Sequence, residues 1–356
     1  MLKLRDLCSK ASSSIAQKDL EKRDGVYPIY GASGLIKYVD FYQQEQPYIA
    51  IVKDGAGVGR VMCLPGKSSV IGTMQYIIPN EGVNVSYLAY ALEYMDLAKY
   101  YTGATIPHIY FKDYCNEVIP SHSTDEQNCI AASLDKVSGL IALRKEQLAK
   151  LDQLVKSRFI ELFENGNYSV HRLGDVCSKI TDGTHKTPVY LDYGVTFISA
   201  KNIVNGELDF SDVKYISDQE YVEIQKRCQT EMGDILLSKS GSLGAPVIVK
   251  TAKRMGLFES LAVIKYDRTK LLPAFLCEQL KSDKIQRQFK IGTKGVAIKH
   301  LHLGVIADTD IVVPPIEDQN AFAIFVEQTD KSKLTIQASL DKLELLKKTL
   351  VQKYFG

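Results

Sequence analysis

The chain has 356 residues, with 44 Lys+Arg against 42 Asp+Glu, and its formal net charge of +2 is too small to argue for any partner. Seven cysteines lie scattered without a Cys-x-x-Cys pair, which argues for reduced thiols in a cytosolic protein and against a metal site. The N-terminus is charged from Lys3, so no signal peptide is expected, and no run approaches ~18 apolar residues, so no membrane span is expected.

Residues 1–122 read as a mixed globular domain with no net charge of its own. Lys3 to Ser14 has the look of a short helix. Tyr27-Pro28-Ile29-Tyr30-Gly31-Ala32-Ser33-Gly34 is turn chemistry. Tyr48 to Val52 and Val61 to Leu64 are strands joined by the tight turn Asp54 to Gly59, and a further strand lies near Gln75 to Ile78. Val85 to Tyr100 has helical spacing. A loop at Gly103, a strand near Cys115 to Ile119 and Pro120 follow.

Residues 123–165 form the first long helix. From Asp125 to Phe163 there is no proline and one glycine, Gly139. Apolar residues recur at Ile130, Leu134, Val137, Ile141, Leu148, Leu151, Val155 and Leu162, a period of about 3.5, with Arg144 and Arg158 also in the seam. At ~1.5 Å per residue this helix reaches nearly ~60 Å and needs a partner for its stripe.

Residues 166–314 repeat the plan with longer loops and a net charge of +3. A helix opens near Leu173, and a loop runs from Thr181 to His185. Strands are expected at Val195 to Ser199, Gly233 to Leu237, Pro246 to Val249 and Leu261 to Tyr266, with a turn at Gly241 to Gly244 and a helix from Pro273. Pro314-Pro315 then open the last segment, the long helix of residues 315–356. Its seam is Phe322, Val326, Thr329, Ile336, Leu340, Leu343, Leu350 and Tyr354.

The two halves match. At a shift of 192 positions Gln127-Asn128 falls on Gln319-Asn320, Leu148 on Leu340, Leu151 on Leu343, Phe163 on Phe355 and His108 on His300. At a shift of 169, Leu4-Arg5-Asp6-Leu7-Cys8-Ser9-Lys10 falls on Leu173-Gly174-Asp175-Val176-Cys177-Ser178-Lys179, and the 23 extra residues of the second half lie between Lys179 and Gly295. The chain is a tandem duplication. The expected fold is two α/β (α+β) heads separated by two long coiled-coil helices, antiparallel about a pseudo-twofold axis. Leu148, Leu151, Val155, Leu340, Leu343 and Leu350 are expected to pair the helices.

No motif spells out catalysis. Asp54-Gly-Ala-Gly-Val-Gly-Arg60 has G-x-G-x-G spacing rather than G-x-G-x-x-G, and Pro65-Gly66 leave no helix to hold a pyrophosphate. The bland reading is a hairpin turn, and such a turn also lets the backbone approach a phosphate. His300 and His302 with Asp308 and Asp310 suggest a metal, but His302 falls on Tyr110, so the pair is not kept between halves. A structural or phosphate-contacting histidine fits better.

Basic and aromatic residues remain. Lys281, Lys284, Arg287, Lys290, Lys294 and Lys299 oppose only Asp283, and they read either as a solvated helix face or as a DNA-facing patch. The candidate nucleic-acid contacts are Lys53, Arg60, His108, Tyr110 and Lys112 in the first half, and His185, Lys186, Lys201, Lys239, Lys294, Lys299 and His300 in the second; all but His108 and His300 are expected on one concave side. Heads built alike but decorated differently suit two different targets.

The repeat, the Tyr27-Pro28-Ile29-Tyr30-Gly31 and Thr181-Asp182-Gly183-Thr184-His185 openings, and the entries Pro120…Gln127 and Pro314-Pro315…Gln319 together resemble the specificity subunit of type I restriction-modification systems. The resemblance covers essentially the whole chain; its first head is compact and Ser121 stands where the second half has Pro315. It implies a non-catalytic, cytoplasmic bacterial or archaeal subunit whose two target recognition domains each read half of a split, asymmetric site in double-stranded DNA. It also implies that the helices set the gap and dock two modification subunits, and that restriction subunits join them. S-adenosylmethionine for adenine methylation, ATP and magnesium would sit on those partners. The competing reading is a coiled-coil adaptor that tethers two interaction modules.

Overall fold

The structure is a computed structural model of the chain, and it describes residues 1–103, 107–293 and 300–356. It forms two compact units: Met1–Glu146 with Ile336–Gly356, and Gln147–Thr335. The long helices, expected as segments of their own, are each divided between these units.

The first unit is built on a four-stranded antiparallel sheet, in the order Cys8–Ser12, Met74–Pro79, Tyr48–Val52, Val61–Leu64. Every residue of Tyr48–Val52 is buried, because the two faces of the strand meet different cores. Ile49 and Ile51 pack with helix Val85–Tyr94 and the start of the first long helix, whereas Tyr48, Ala50 and Val52 pack with Met74 and Tyr76. A second sheet holds Gly34–Val39, Tyr27–Gly31 and Ser69–Val70, the last pair parallel. A two-residue ladder, Leu2–Lys3 with Val118–Ile119, closes the unit.

The second unit repeats this plan strand for strand. Its four-stranded sheet runs Cys177–Asp182, Leu261–Tyr266, Ile235–Ser238, Pro246–Ile248. Its three-stranded sheet runs Lys214–Ile216, Val195–Ile198, Met255–Leu257, again with one parallel pair. Val170–Arg172 pairs with Asp310–Val312 as the closing ladder. The additional elements are a small hairpin, Ile203–Val204 with Glu207–Leu208, and helix Asp218–Arg227. Both lie inside the stretch where the sequence carries its extra residues.

A buried glutamine joins head to long helix in each unit. Gln127 Oε1 accepts the Asn84 N–H at 3.0 Å and its Nε2 donates to the His122 carbonyl at 3.0 Å. Gln319 does the same with the Leu272 N–H at 2.9 Å and the Pro314 carbonyl at 2.8 Å. One side chain thereby satisfies an unpaired donor at a short helix and an acceptor just before a long one.

The long helices span Thr124–Phe159, continued by a π-helical turn Ile160–Glu164, and Ile316–Phe355. Within each unit their segments run antiparallel. In the first, Lys145 pairs with Glu344 at 2.8 Å, while Phe355 and Leu350 join the cluster of Ile130 and Leu134. In the second, Asp152 pairs with Lys333 at 2.6 Å, and Phe159 meets Phe322 with ring centroids 5.6 Å apart. Burial along the seam is uneven. Leu134, Val155, Phe322 and Leu340 are buried, but Leu148, Leu151, Leu343 and Leu350 are half-buried. Leu148, Leu151 and Leu343, expected to pair the helices, are therefore seam residues without full burial. Leu134 joins the core of the first unit, and Val155 and Phe322 that of the second.

Four sequence expectations are corrected by long-range pairing. Lys3 to Ser14 is not a helix: one turn, Leu4–Leu7, buries Leu4 and Leu7, and then Cys8–Ser12 pairs with the strand Met74–Pro79. Tyr27–Gly31 is a strand, with the turn confined to the residues after it. Thr181 and Asp182 end a strand instead of opening a loop. Cys115 to Ile119 is a strand only at Val118–Ile119, and Phe111–Tyr114 ahead of it is helical. The helix from Val85 stops at Tyr94, because Asp96 takes a left-handed conformation (φ 48°) before a 3₁₀ turn Leu97–Tyr100.

Candidate nucleic-acid interface

In the first unit the end of strand Tyr48–Val52 runs into the glycine turn, and all three of its glycines have positive φ. Gly59 (φ 86°) also lies so close to the 3₁₀ turn Leu97–Tyr100 that a Cβ would come within 2.6 Å of the Ala98 nitrogen. The turn therefore has a structural cause, the hairpin between strands Tyr48–Val52 and Val61–Leu64. Its flanks carry charge. Lys53 Nζ pairs with the Asp54 carboxylate, and the other Asp54 oxygen accepts from His108 Nδ1. The strand is tied to the His108 segment through the backbone too, by Ile109 N–H to the Lys53 carbonyl at 3.0 Å and Gly55 N–H to the Pro107 carbonyl at 2.9 Å. The His108 ring packs edge-on against Tyr110, centroids 4.2 Å apart, and Lys112 Nζ lies 5.2 Å from the Tyr110 centroid. Tyr110 and Lys112 are exposed. Burial lowers the Lys53 pKa, against an opposing pull from Tyr110. Burial and the Lys53 charge hold His108 below its ordinary value.

Four expected contacts, Lys53, His108, Tyr110 and Lys112, thus form one cluster with Asp54 at its centre. Arg60 is exposed but engaged, donating to the Ala32 carbonyl at 2.7 Å and so linking the two sheets of the unit.

In the second unit the framework is the same and the wiring differs. Leu301 N–H donates to the Lys239 carbonyl at 2.9 Å, as Ile109 does to Lys53. Lys239, however, is buried, and its ammonium pairs with the equally buried carboxylate of Asp182, at the end of a strand two places away in the sheet. Arg227, at the end of the additional helix, meets the same carboxylate and also donates to the Asp182 carbonyl at 3.3 Å. His185 Nε2 lies 3.2 Å from Asp182, while its Nδ1 lies 2.8 Å from Glu259. Burial would raise the Asp182 pKa, but hydrogen bonds from Lys239, Arg227 and His185 outweigh it and hold the carboxyl below its usual range. Lys239 was expected as an exposed contact and is instead an internal cation. The side chains of this cluster that reach the surface are the Arg227 guanidinium and the His185 ring.

His300 is half-buried beside His302, ring centroids 5.5 Å apart, and burial followed by the Lys239 charge lowers its pKa. Lys186 is exposed, its backbone clasped by the Thr184 hydroxyl. Lys201 is exposed and pairs with Asp212 at 3.0 Å. Lys294 and Lys299 lie outside the described residues. Helix Asp283–Gly292 buries Ile285 and Phe289 and turns Lys284, Arg287 and Lys290 outward, while Asp283 is taken by Lys156 at 2.8 Å. The sequence reading assigned no role to Asp54, Asp182, Arg227 or Glu259. The pairing of Asp182 with Arg227 and Lys239 spans 45 and 57 positions, so no local pattern announces it.

Two α/β units of one topology, each carrying its own arrangement of cations, carboxylate and histidine at the same framework position, define a tandemly duplicated protein. The model of the type I restriction modification DNA specificity domain matches residues 1–153 and 165–345, and the chain belongs to that family. The EcoBI type I restriction enzyme specificity subunit of Escherichia coli is 23% identical over 291 residues, covering 71% of this chain and 61% of that protein, so the match spans about three-fifths of that relative. The MjaVIII specificity subunit of Methanocaldococcus jannaschii is 20% identical over 366 residues, covering 93% and 85%. Among solved structures, the S subunit of a type I restriction-modification system from M. genitalium superposes with a TM-score of 0.64 at 15% identity, over 100% of this chain and 95% of that one. A chain from a study of complex assembly in the type I R-M system gives 0.54 at 14% identity, over 99% and 96%. These likenesses show the fold.

Proposed function

We propose that this chain is the non-catalytic specificity subunit of a type I restriction-modification complex, with each unit reading one half of a split, asymmetric site in double-stranded DNA. The observation that carries the reading is the pair of equivalent lysines, Lys53 and Lys239, held at the same strand end but joined to different carboxylates. Shared scaffold with unlike surface chemistry suits two modules that read different bases. Around them Tyr110, Lys112, His185, Lys186 and Lys201 offer exposed cations and ring faces to phosphate and base edges.

In the same reading the long helices, which continue from one unit into the other, set the gap between half-sites and dock two modification subunits. Exposed leucines off the seam support a protein partner there: Leu143 and Leu345 in the first unit and Leu334 in the second are each more than half exposed. Restriction subunits complete the assembly, and S-adenosylmethionine, ATP and magnesium belong to the partners. The setting is bacterial or archaeal cytoplasm, and among the described residues no helix is long and apolar enough to cross a membrane.

Selection of bound duplexes from a random pool, with the chain alone and with a modification subunit, tests this. The expected result is a two-part motif with an unspecified gap. Retention of the partner with no enriched sequence would instead support the adaptor reading.

A further inference from the structure

The geometry points to His108 as a base-reading hydrogen-bond acceptor in the first unit, with Asp54 as the positioning residue that fixes its tautomer. The inference rests on the DNA-reading function proposed above, and it names the chemistry read: an exocyclic amine, adenine N6 or cytosine N4, in the major groove.

A carboxylate can only accept, so the Asp54 contact requires the proton on His108 Nδ1. The other Asp54 oxygen is occupied by Lys53, so the carboxylate charge is already matched by a neighbouring ammonium. Burial and that same ammonium favour the neutral ring. In a neutral imidazole with Nδ1 protonated, Nε2 is a lone-pair acceptor. No hydrogen bond occupies His108 Nε2 among the described residues, and 27% of the side chain remains exposed. Tyr110 packs against one side of the ring and is itself capped by Lys112, which limits ring rotation next to a cation suited to a phosphate. The second unit lacks this wiring. Ser240 stands where Asp54 does, relative to the equivalent lysine, and Asp182 serves Lys239 from another strand. The His300 ring neighbours His302 instead.

The test follows from the division of the carboxylate. In Asp54→Asn the amide oxygen stays on the Lys53 ammonium, which can only donate, so the NH₂ turns to His108. That moves the ring proton to Nε2 and converts an acceptor into a donor. The full-length chain with its modification subunit, wild type and Asp54→Asn, is used to select duplexes from a random pool. Wild type is expected to favour A or C on the contacted strand at one position of the first unit's half-site. Asp54→Asn is expected to favour G or T there, whose keto oxygens accept, with all other positions unchanged. His108→Ala is expected to flatten preference at that one position by about tenfold. An unchanged motif in Asp54→Asn, or uniformly weaker binding of every sequence, would overturn the inference. No motif from the wild type would instead count against the DNA-reading function itself.

Discussion

The two lysine clusters teach more by their difference than by their likeness. Lys53 and Lys239 leave equivalent strand ends, and their carbonyls anchor equivalent histidine segments. In the first unit the carboxylate is the next residue, Asp54, 25% exposed, and it shares itself between Lys53 and His108. In the second it is Asp182, on a different strand and 3% exposed, and it gathers Lys239, Arg227 and His185. One arrangement is open and local, and the other is buried and long-range. A duplicated scaffold has kept the cation and relocated its counter-charge, and each relocation changes which polar atoms face outward.

That contrast sets an order of stability effects. Asp182→Asn strands a buried ammonium and is expected to cost about 3–5 kcal/mol, whereas Asp54→Asn, at a partly solvated pair, is expected to cost no more than about 1 kcal/mol. Denaturant unfolding of the two variants measures the difference, and equal losses would break the comparison. The helices give a second contrast. Leu134→Ala, in a fully buried position, is expected to cost about 2–5 kcal/mol. Leu151→Ala, half-buried in the middle of the seam, is expected to cost about 1 kcal/mol.

The pH dependence sharpens the first contrast. Asp182 titrates below its ordinary value in the folded chain, so its contribution is complete above the unfolded carboxylate pKa of about 3.9 and is lost as pH falls through the lower folded value. The melting difference between wild type and Asp182→Asn should therefore be flat from pH 7 to pH 5 and shrink below about pH 4. A smaller effect is expected for Lys112→Ala: weaker binding of all duplexes alike, with the salt slope reduced by about one.

Much of the fold was legible because its signals are local or periodic. The heptads, the glycine turn and the repeated Gln127 and Gln319 marked the duplication and the helix starts. The strand Cys8–Ser12 was not legible, because its conformation comes from pairing with residues more than 60 positions away. The site was half legible. Lys53, His108, Tyr110 and Lys112 were named and do converge, and the glycine turn that brings them together was visible. Lys239 misled, since its burial depends on Asp182 and on Arg227 from the additional helix. A lysine's surroundings cannot be read from its neighbours in sequence when its partner is on another strand.

If each unit reads its own half of one site, single substitutions in the two units act on separate halves. Methylated motifs mapped for the assembled complex, with Tyr110→Ala in one preparation and Lys186→Ala in another, show whether they do. Tyr110→Ala is expected to relax bases in one half of the motif only and Lys186→Ala in the other half only, with the gap unchanged in both. Both variants altering the same half, or neither altering any base preference, would contradict it.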